Sequence, residues 1–230
     1  MTRIGIVAAL PAEARCLTRR RPHWRQILEI DGDRLLCQSG IGADNAAQAA
    51  RRLAAAGATE LVSFGFAGGL DPALPAGALL LPERIVGACH YLIDPERRKR
   101  LLAALPGTTT PRGGDLLCAA TVVATPSRKR QLFDATGAVA VDMESAAIAE
   151  VAADRGLSLL VLRAISDPAA FAPPAALLQA LHPDGRVAPR ALAALLLRRR
   201  LRPGALLRLA AGARAARATL RRSARALHEL

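Results

Sequence analysis

Short apolar runs alternate with stretches of helical spacing along most of the chain. Ile4–Leu10 is an apolar run that ends at Pro11, which is typical of a buried strand followed by a helix. Helical spacing then continues from Asp44 to Ala56, and Gly57 ends that helix. The other predicted elements are strands at Leu35–Gln38, Glu60–Phe64, Ala78–Leu81, Ile85–Gly87, Leu116–Cys118, Thr121–Ala124, Val139–Val141 and Leu159–Leu162, and helices at Ala12–Arg19, Arg128–Ala135 and Met143–Asp154. This alternation predicts a three-layer α/β/α fold whose central sheet is mostly parallel or mixed.

Two glycine-rich segments follow predicted strands and are predicted to be turns. They are Ser39–Gly42 and the sequence GFAGGL at Gly65–Leu70. Glycine lets a backbone approach a ligand closely or hold an anion on its N–H groups, but tight turns use the same residue for purely structural reasons.

The sequence changes character after Asp167. Pro168–Leu178 and His182–Pro189 are rich in proline, and the chain beyond them is rich in Ala, Leu and Arg, with one interruption at Pro203-Gly204. We therefore divide the chain into a main α/β domain, residues 1–189, and an Arg-rich helical C-terminal extension, residues 190–230.

The extension carries two stripes at helical spacing. The apolar stripe is Leu206, Leu209, Ala213, Ala216, Leu220, Ala224 and Leu227, and the basic stripe is Arg214, Arg217, Arg221 and Arg225. A helix of this kind can lie on an anionic membrane surface. It can equally pack on the protein or on a second subunit with its arginines in water, and the sequence leaves both alternatives open.

The net charge of +13 is concentrated in the extension. From Arg190 to Leu230 there are eleven arginines and one acidic residue, a net charge of +10, whereas the other 189 residues carry 21 basic and 18 acidic groups, a net charge of +3. Aromatic residues, on which nucleic-acid bases stack, make up only 3% of the chain. We therefore expect no nucleic-acid partner.

Cysteine spacing and hydropathy bear on the location of the protein. Cys16, Cys37, Cys89 and Cys118 form no CxxC pair and have no histidine at ligand spacing, which is typical of reduced thiols and of a chain without a metal site. The N-terminus has no signal-peptide pattern, and no apolar run reaches the ~18–20 residues of a membrane span. We expect a cytoplasmic protein.

Four segments together resemble the purine nucleoside phosphorylase and nucleosidase superfamily. They are IGIVAALPAEA at Ile4–Ala14, GFAGGL at Gly65–Leu70, VDMESAAIAE at Val141–Glu150 and RAISD at Arg163–Asp167. The resemblance covers the chain from Met1 to Asp167. It implies a homodimeric enzyme that cleaves the N-glycosidic bond of an adenine nucleoside without a cofactor.

Such cleavage requires an acid near purine N7 and polar groups near the ribose hydroxyls. The resemblance implies that Asp167, preceded by Ser166, donates a proton to N7; a Ser-Asp helix cap before Pro168 is the structural alternative. It also implies that Glu144 binds the 2′ and 3′ hydroxyls and that Met143 packs against the sugar. A first-turn helix acid and a core methionine are the alternatives for these two residues.

The sequence features point in different directions on whether water or phosphate attacks the ribosyl group. Hydrolytic members of the superfamily use the glutamate that matches Glu13 to activate water, whereas an isolated glutamate there would ordinarily be a solvated charge. Phe66 stands where those members carry a small hydroxyl residue, which argues against an ordinary hydrolytic site. Phe66 and Gly68 are expected beside the ribosyl C1′. The chain lacks the Gly-Asp-x-x-Arg phosphate loop of phosphorolytic purine relatives, so phosphate as a co-substrate rests on the resemblance alone.

Two further residues are assigned to the site. Arg163 follows a buried strand and is predicted to pair with Glu144 or Glu13, because a buried cation needs a partner. Val122 falls in register with the residue whose backbone contacts the adenine edge in nucleosidases.

The substrate is suggested by one more segment. His90–Leu105 is short and basic, where methylthioadenosine and adenosylhomocysteine nucleosidases carry a longer aromatic-rich stretch around the 5′ substituent. Together with VDMESAAIAE and the Arg-rich tail, it resembles the hopanoid-associated phosphorylase branch, whose implied substrate is adenosylhopane, a lipid-linked nucleoside.

Three hypotheses follow. The first is phosphorolysis of that nucleoside, with the tail in peripheral contact with the inner membrane surface. The second is hydrolysis of methylthioadenosine or adenosylhomocysteine. The third is a non-catalytic basic adaptor that binds membrane or nucleic acid through its tail.

Overall fold

A ten-stranded mixed sheet forms the centre of the computed structural model, which describes residues 2–107, 110–180, 182, 184–198 and 203–230. The strands are β1 (Ile4–Ala8), β2 (Ile27–Asp31), β3 (Arg34–Gln38), β4 (Glu60–Gly69), β5 (Leu79–Leu80), β6 (Arg84–Val86), β7 (Tyr91–Leu92), β8 (Asp115–Cys118), β9 (Ala140–Asp142) and β10 (Ser158–Asp167). The helices are α1 (Pro11–Leu17), α2 (Ala43–Ala55), α3 (Pro95–Ala104), α4 (Pro126–Thr136), α5 (Ser145–Arg155), α6 (Pro189–Leu197) and α7 (Pro203–Ser223), with 3-10 turns at Ala175–Ala180 and Ala224–His228.

The strands lie in the order β2-β3-β1-β4-β9-β8-β6-β7, and β10 pairs with β4 and β5. Most pairs in the middle of the sheet are parallel, but β9 runs antiparallel to the end of β4. Strands β1 and β4 are almost wholly buried, as expected for sheet segments covered on both faces. The predicted α/β fold with a mixed central sheet and a C-terminal helix is confirmed.

The segment GFAGGL is strand rather than turn, so that prediction was wrong. Strand β4 runs through Gly69 and pairs with β10 as far as Gly68, while Gly68 and Gly69 pair with β9. Its glycines serve close packing: a Cβ on Gly65 would lie 2.5 Å from both Arg163 Nη1 and Glu13 Oε1. The glycines of this segment therefore indicate a closely packed strand and not a turn.

Other local predictions also differ from the structure. Strand β10 continues past Leu162 to Asp167, so RAISD is part of the strand. Thr121–Ala124 is not a strand and instead lies in the loop before α4. Strands β2 and β7 and helix α3 were not predicted, because β2 and β7 are short and largely exposed and α3 is strongly charged.

The C-terminal helix α7 packs on the sheet. Ala216 and Leu220 belong to the main apolar core, and Thr219 Oγ1 donates a hydrogen bond to the Gly77 carbonyl at 2.7 Å. The four arginines of the basic stripe are exposed. The apolar stripe thus faces the protein from Leu209 onward, as in the packing alternative, and residues 199–202 before the helix lie outside the described part of the chain. Within that part, no helix is both long and apolar enough to cross a membrane.

Candidate active site

A cavity of about 420 Å³ lies at the carboxyl ends of β1, β4, β9 and β10. Open α/β sheets bind ligands at this edge. Eight of the nine residues assigned to the site from the sequence line this cavity: Glu13, Phe66, Gly68, Val122, Met143, Glu144, Ser166 and Asp167. The ninth, Arg163, lies buried behind them. The fold brings the residues together, and their individual roles stay predictions.

Asp167 is held at the end of β10 by two side chains. Ser166 Oγ donates to Asp167 Oδ1 at 2.6 Å, and Lys129 Nζ donates to Asp167 Oδ2 at 2.6 Å. Burial raises the pKa of the Asp167 carboxyl above its ordinary value, and the Lys129 ammonium opposes that rise. A carboxyl that is buried yet held by a cation is suited to exchange a proton with a bound ligand.

Glu13 lies in the first turn of α1 and is 3% exposed. Its Oε2 accepts the Leu10 N–H at 2.7 Å, which caps the helix, and its Oε1 accepts the Phe66 N–H at 2.7 Å. Burial raises the pKa of Glu13 to about 7, against the opposing effects of Arg163 and the two amides. A carboxyl with this pKa is half ionised near neutral pH, which suits a general base.

Arg163 pairs with Asp142, so its predicted pairing with Glu144 or Glu13 was wrong. Its Nη2 lies 2.5 Å from Asp142 Oδ2 and also donates to the hydroxyls of Ser63 and Ser145. Asp142 ends β9, the strand next to β4, and this position brings its carboxylate to the guanidinium. Removing one partner of such a buried pair typically costs about 3–5 kcal/mol of stability.

Glu144 occupies the N-cap position of α5, so its carboxylate points away from the helix and toward a glycine turn. Its Oε1 accepts the Gly42 N–H at 2.9 Å, and Gly42 has φ +98°, a conformation that favours glycine. Burial raises the pKa of Glu144, as does the neighbouring Asp142. The Ser39–Gly42 turn therefore lies against the same cavity and holds one of its acids.

A second group of residues on the cavity lining, here called the apolar wall, is apolar and was not predicted. It consists of Leu10, Ile41, Pro173, Pro174, Leu177, Val187, Leu209 and Ala213. Leu209 and Ala213 belong to α7, so the C-terminal helix contributes to the cavity as well as to the core. Acidic groups and apolar side chains thus line the same cavity, a combination that fits a ligand with one polar and one apolar part.

Lys129 was not assigned to the site from the sequence, and Asp142 was not paired there with Arg163. Lys129 lies in α4 and is wholly buried. A signal existed for it, since only Lys99 and Lys129 of the 32 basic residues are lysines. No comparable signal marked the apolar wall, because its members come from segments far apart in the chain.

Comparison with known proteins identifies the family of this chain. The Phosphorylase superfamily matches residues 3–198. The chain belongs to this superfamily. A 5′-methylthioadenosine/S-adenosylhomocysteine nucleosidase of Mycobacterium bovis is 27% identical, over 71% of this chain and 85% of the relative.

Two solved structures similar to this superfamily member show the same fold. The 5′-methylthioadenosine/S-adenosylhomocysteine nucleosidase of Neisseria meningitidis superposes with a TM-score of 0.73 at 18% identity, covering all of both chains. Futalosine hydrolase of Helicobacter pylori superposes with a TM-score of 0.71 at 18% identity, covering 99% of this chain and 96% of the other. Enzymes of this superfamily act on N-glycosidic bonds, and this chain is such an enzyme.

Proposed function

We propose that the protein releases adenine from a nucleoside with a large apolar 5′ substituent, and that Asp167, Glu144 and Glu13 carry the reaction. The observation that supports this most is that these three carboxyls line one cavity together with the apolar wall. Asp167 protonates purine N7, which neutralises the departing base. Glu144 accepts hydrogen bonds from the ribose hydroxyls, and Glu13 serves the attacking group.

Water is the attacking group that the charges around the cavity favour. Lys129 is saturated by its four oxygen acceptors, and Arg163, whose Nε has no partner, does not line the cavity, so neither presents a donor to a phosphate dianion there. The cavity is instead lined by Glu13, Asp142 and Glu144, and like charges repel a dianion. Glu13, whose pKa is about 7, can accept the proton of water near neutral pH.

Phosphate is the second candidate, and Phe66 is the observation that favours it. Phe66 lines the cavity, and it stands where the resemblance gives hydrolytic members a hydroxyl residue, so one polar contact for a water molecule is missing. Phosphorolysis would then match the branch that the sequence resembles.

A lipid-linked nucleoside such as adenosylhopane fits the apolar wall. Val187, one of the residues of this wall, is 48% exposed, so the wall reaches the protein surface. A hydrophobic 5′ chain that leaves the cavity would therefore pass an apolar side chain at that surface. The short polar substituents of other nucleosides would gain nothing from that surface.

Adenine release decides between these alternatives. Adenosine, methylthioadenosine and a 5′-alkyl adenosine are incubated with and without phosphate, and the products are separated into free ribose and ribose 1-phosphate forms. We expect the alkyl substrate to have the highest kcat/KM and the free sugar to form. Dependence on phosphate with a sugar 1-phosphate product would establish the second candidate, and no adenine release from any substrate would refute the function.

The variant Glu13→Ala separates the two attacking groups by a different route. If water attacks, loss of the base nearly abolishes turnover; if phosphate attacks, part of the activity survives and rises with phosphate concentration. The variant is assayed beside Glu29→Ala, an exposed glutamate of β2, as a control for the loss of one carboxylate.

We further propose that the outer face of α7 contacts an anionic membrane. The four arginines of its basic stripe are exposed, whereas most residues of its apolar stripe pack inside the protein. Attraction between the helix and the membrane would therefore be mainly electrostatic. Replacing the four arginines with glutamine should abolish flotation with anionic vesicles and leave adenosine cleavage unchanged. Binding that persists at high salt, or to neutral vesicles, would contradict this contact.

A further inference from the structure

Lys129 lies at the centre of a ring of oxygen atoms behind the candidate acid. Its Nζ donates to Asp167 Oδ2 at 2.6 Å, to the Asp167 carbonyl at 2.8 Å, to the Phe171 carbonyl at 2.8 Å and to the Pro168 carbonyl at 3.1 Å. An ammonium has three N–H groups, so these four acceptors saturate it. The side chain is only 1% exposed.

Burial of a lone ammonium is costly unless it has a specific partner. Burial lowers the pKa of Lys129, and the Asp167 carboxylate opposes that effect. A compact ammonium suits a ring of carbonyls better than the planar guanidinium that this chain uses nearly everywhere else. These facts indicate that the lysine serves Asp167 and the backbone around it.

We propose that Lys129 is a positioning residue for Asp167, and that it fixes which carboxyl oxygen delivers the proton to the departing base. This inference rests on the proposed function. Lys129 binds Oδ2, and Gly68 of β4 packs close to the same oxygen, since a Cβ on Gly68 would lie 3.1 Å from it. Oδ1 carries only the hydroxyl of Ser166, which can rotate away, so Oδ1 is the oxygen that faces the base.

Lys129 also connects the acid to the wall of the cavity. The carbonyls of Pro168 and Phe171 belong to the segment that leads directly to Pro173 and Pro174, which line the cavity. One ammonium thus fixes the end of β10 and the start of this wall together. The other titratable groups on the cavity are Glu13 from α1, Asp142 from β9 and Glu144 at the start of α5, and the ionic contact of Asp167 is with Lys129.

The test compares two leaving groups in the variants Lys129→Gln and Lys129→Arg. Adenine needs a proton to depart, whereas 4-nitrophenolate, released from 4-nitrophenyl β-D-riboside, does not. Lys129→Gln should lower kcat for adenine release by about 10- to 100-fold and leave nitrophenolate release within a few-fold of the parent protein. Lys129→Arg, which keeps the charge, should lose less. Lys99→Gln, at the exposed lysine of α3, is the matched control.

A double-mutant cycle tests whether Lys129 acts through Asp167. In the background of Asp167→Asn, the change Lys129→Gln should cause no further loss of adenine release. Equal losses with both leaving groups, or the same loss with and without Asp167, would show that the lysine only supports the fold. Circular dichroism checks folding, and Lys129→Arg enters the same cycle if Lys129→Gln does not fold. A parent protein that releases no adenine would refute the proposed function instead.

Discussion

Gly212 is the position at which α7 comes closest to the candidate site. A Cβ on Gly212 would lie 2.0 Å from the carbonyl oxygen of Ser166, the residue before Asp167. Real Cβ atoms essentially never come within 3.0 Å of such an atom, so in Gly212→Ala the helix must withdraw by about 1 Å. Strand β10 cannot yield instead, because it is paired with β4 along most of its length.

The cost of this withdrawal can be estimated. Overpacking of a core by one methyl group destabilises a protein by about 1–3 kcal/mol, which corresponds to about 2–12 °C in Tm for a chain of this size. Leu209 and Ala213 lie beside Gly212 on the apolar wall and move with the helix. We therefore expect KM to rise for a nucleoside with an apolar 5′ chain, while kcat for adenosine stays within a few-fold of the parent value.

Thermal unfolding and steady-state kinetics on both substrates measure these effects. Gly204→Ala is the matched control, because Gly204 lies in the same helix and a Cβ there would meet nothing within 4 Å. That control should be neutral or slightly stabilising, since alanine favours the helix. Parent-like Tm and KM values for Gly212→Ala would refute the close contact between α7 and Ser166.

Three more predictions concern the acids of the cavity. Asp167→Asn should lower adenine release at least about 100-fold with little change in folding, measured by product assay and circular dichroism; near-normal turnover would remove Asp167 from the reaction. Glu144→Gln should weaken binding of ribosides, seen as a higher KM, and equal cleavage of 2′-deoxyribosides by the parent protein would contradict its hydroxyl contact. Burial raises the pKa of Glu13 to about 7, so this carboxyl binds a proton more tightly in the folded protein than in the unfolded chain. The contribution of Glu13 to the free energy of unfolding should therefore fall by roughly 3 kcal/mol as pH rises from 4.5 through 7. Glu13→Gln should remove that part of the pH dependence in denaturant titrations, and an unchanged slope would refute the burial of this carboxyl.

Local sequence patterns were sufficient for the framework of the fold. Strand β1 and helix α2 have strong periodicity and clear end signals, and both form where predicted. The motif residues Glu13 and Asp167 reach one cavity because β1 and β10 both run parallel to β4 and end at the same edge of the sheet. Glu144 joins them from β9, which runs antiparallel to β4, and the alternation of strands and helices did not predict that step.

Contacts between segments far apart in the chain could not be predicted from the sequence. The motifs contain three acids that could pair with Arg163, and the position of β9 beside β4 determines that the partner is Asp142. Likewise, the glycines of GFAGGL match a turn as well as a crowded strand, and the approach of Arg163 and Glu13 to Gly65 decides between them.

The C-terminal helix has contacts with the main domain that composition does not indicate. Its arginines and alanines suggest an appendage, yet Gly212 and Ala216 are small because the helix crosses directly over β10 and the Ser166 carbonyl. The same crossing places Leu209 and Ala213 on the cavity wall. A helix that buries core surface, holds the strand of the candidate acid and lines the cavity cannot be removed without disturbing all three. Substitutions on its exposed face, rather than truncation, are therefore the way to separate a membrane contact from catalysis.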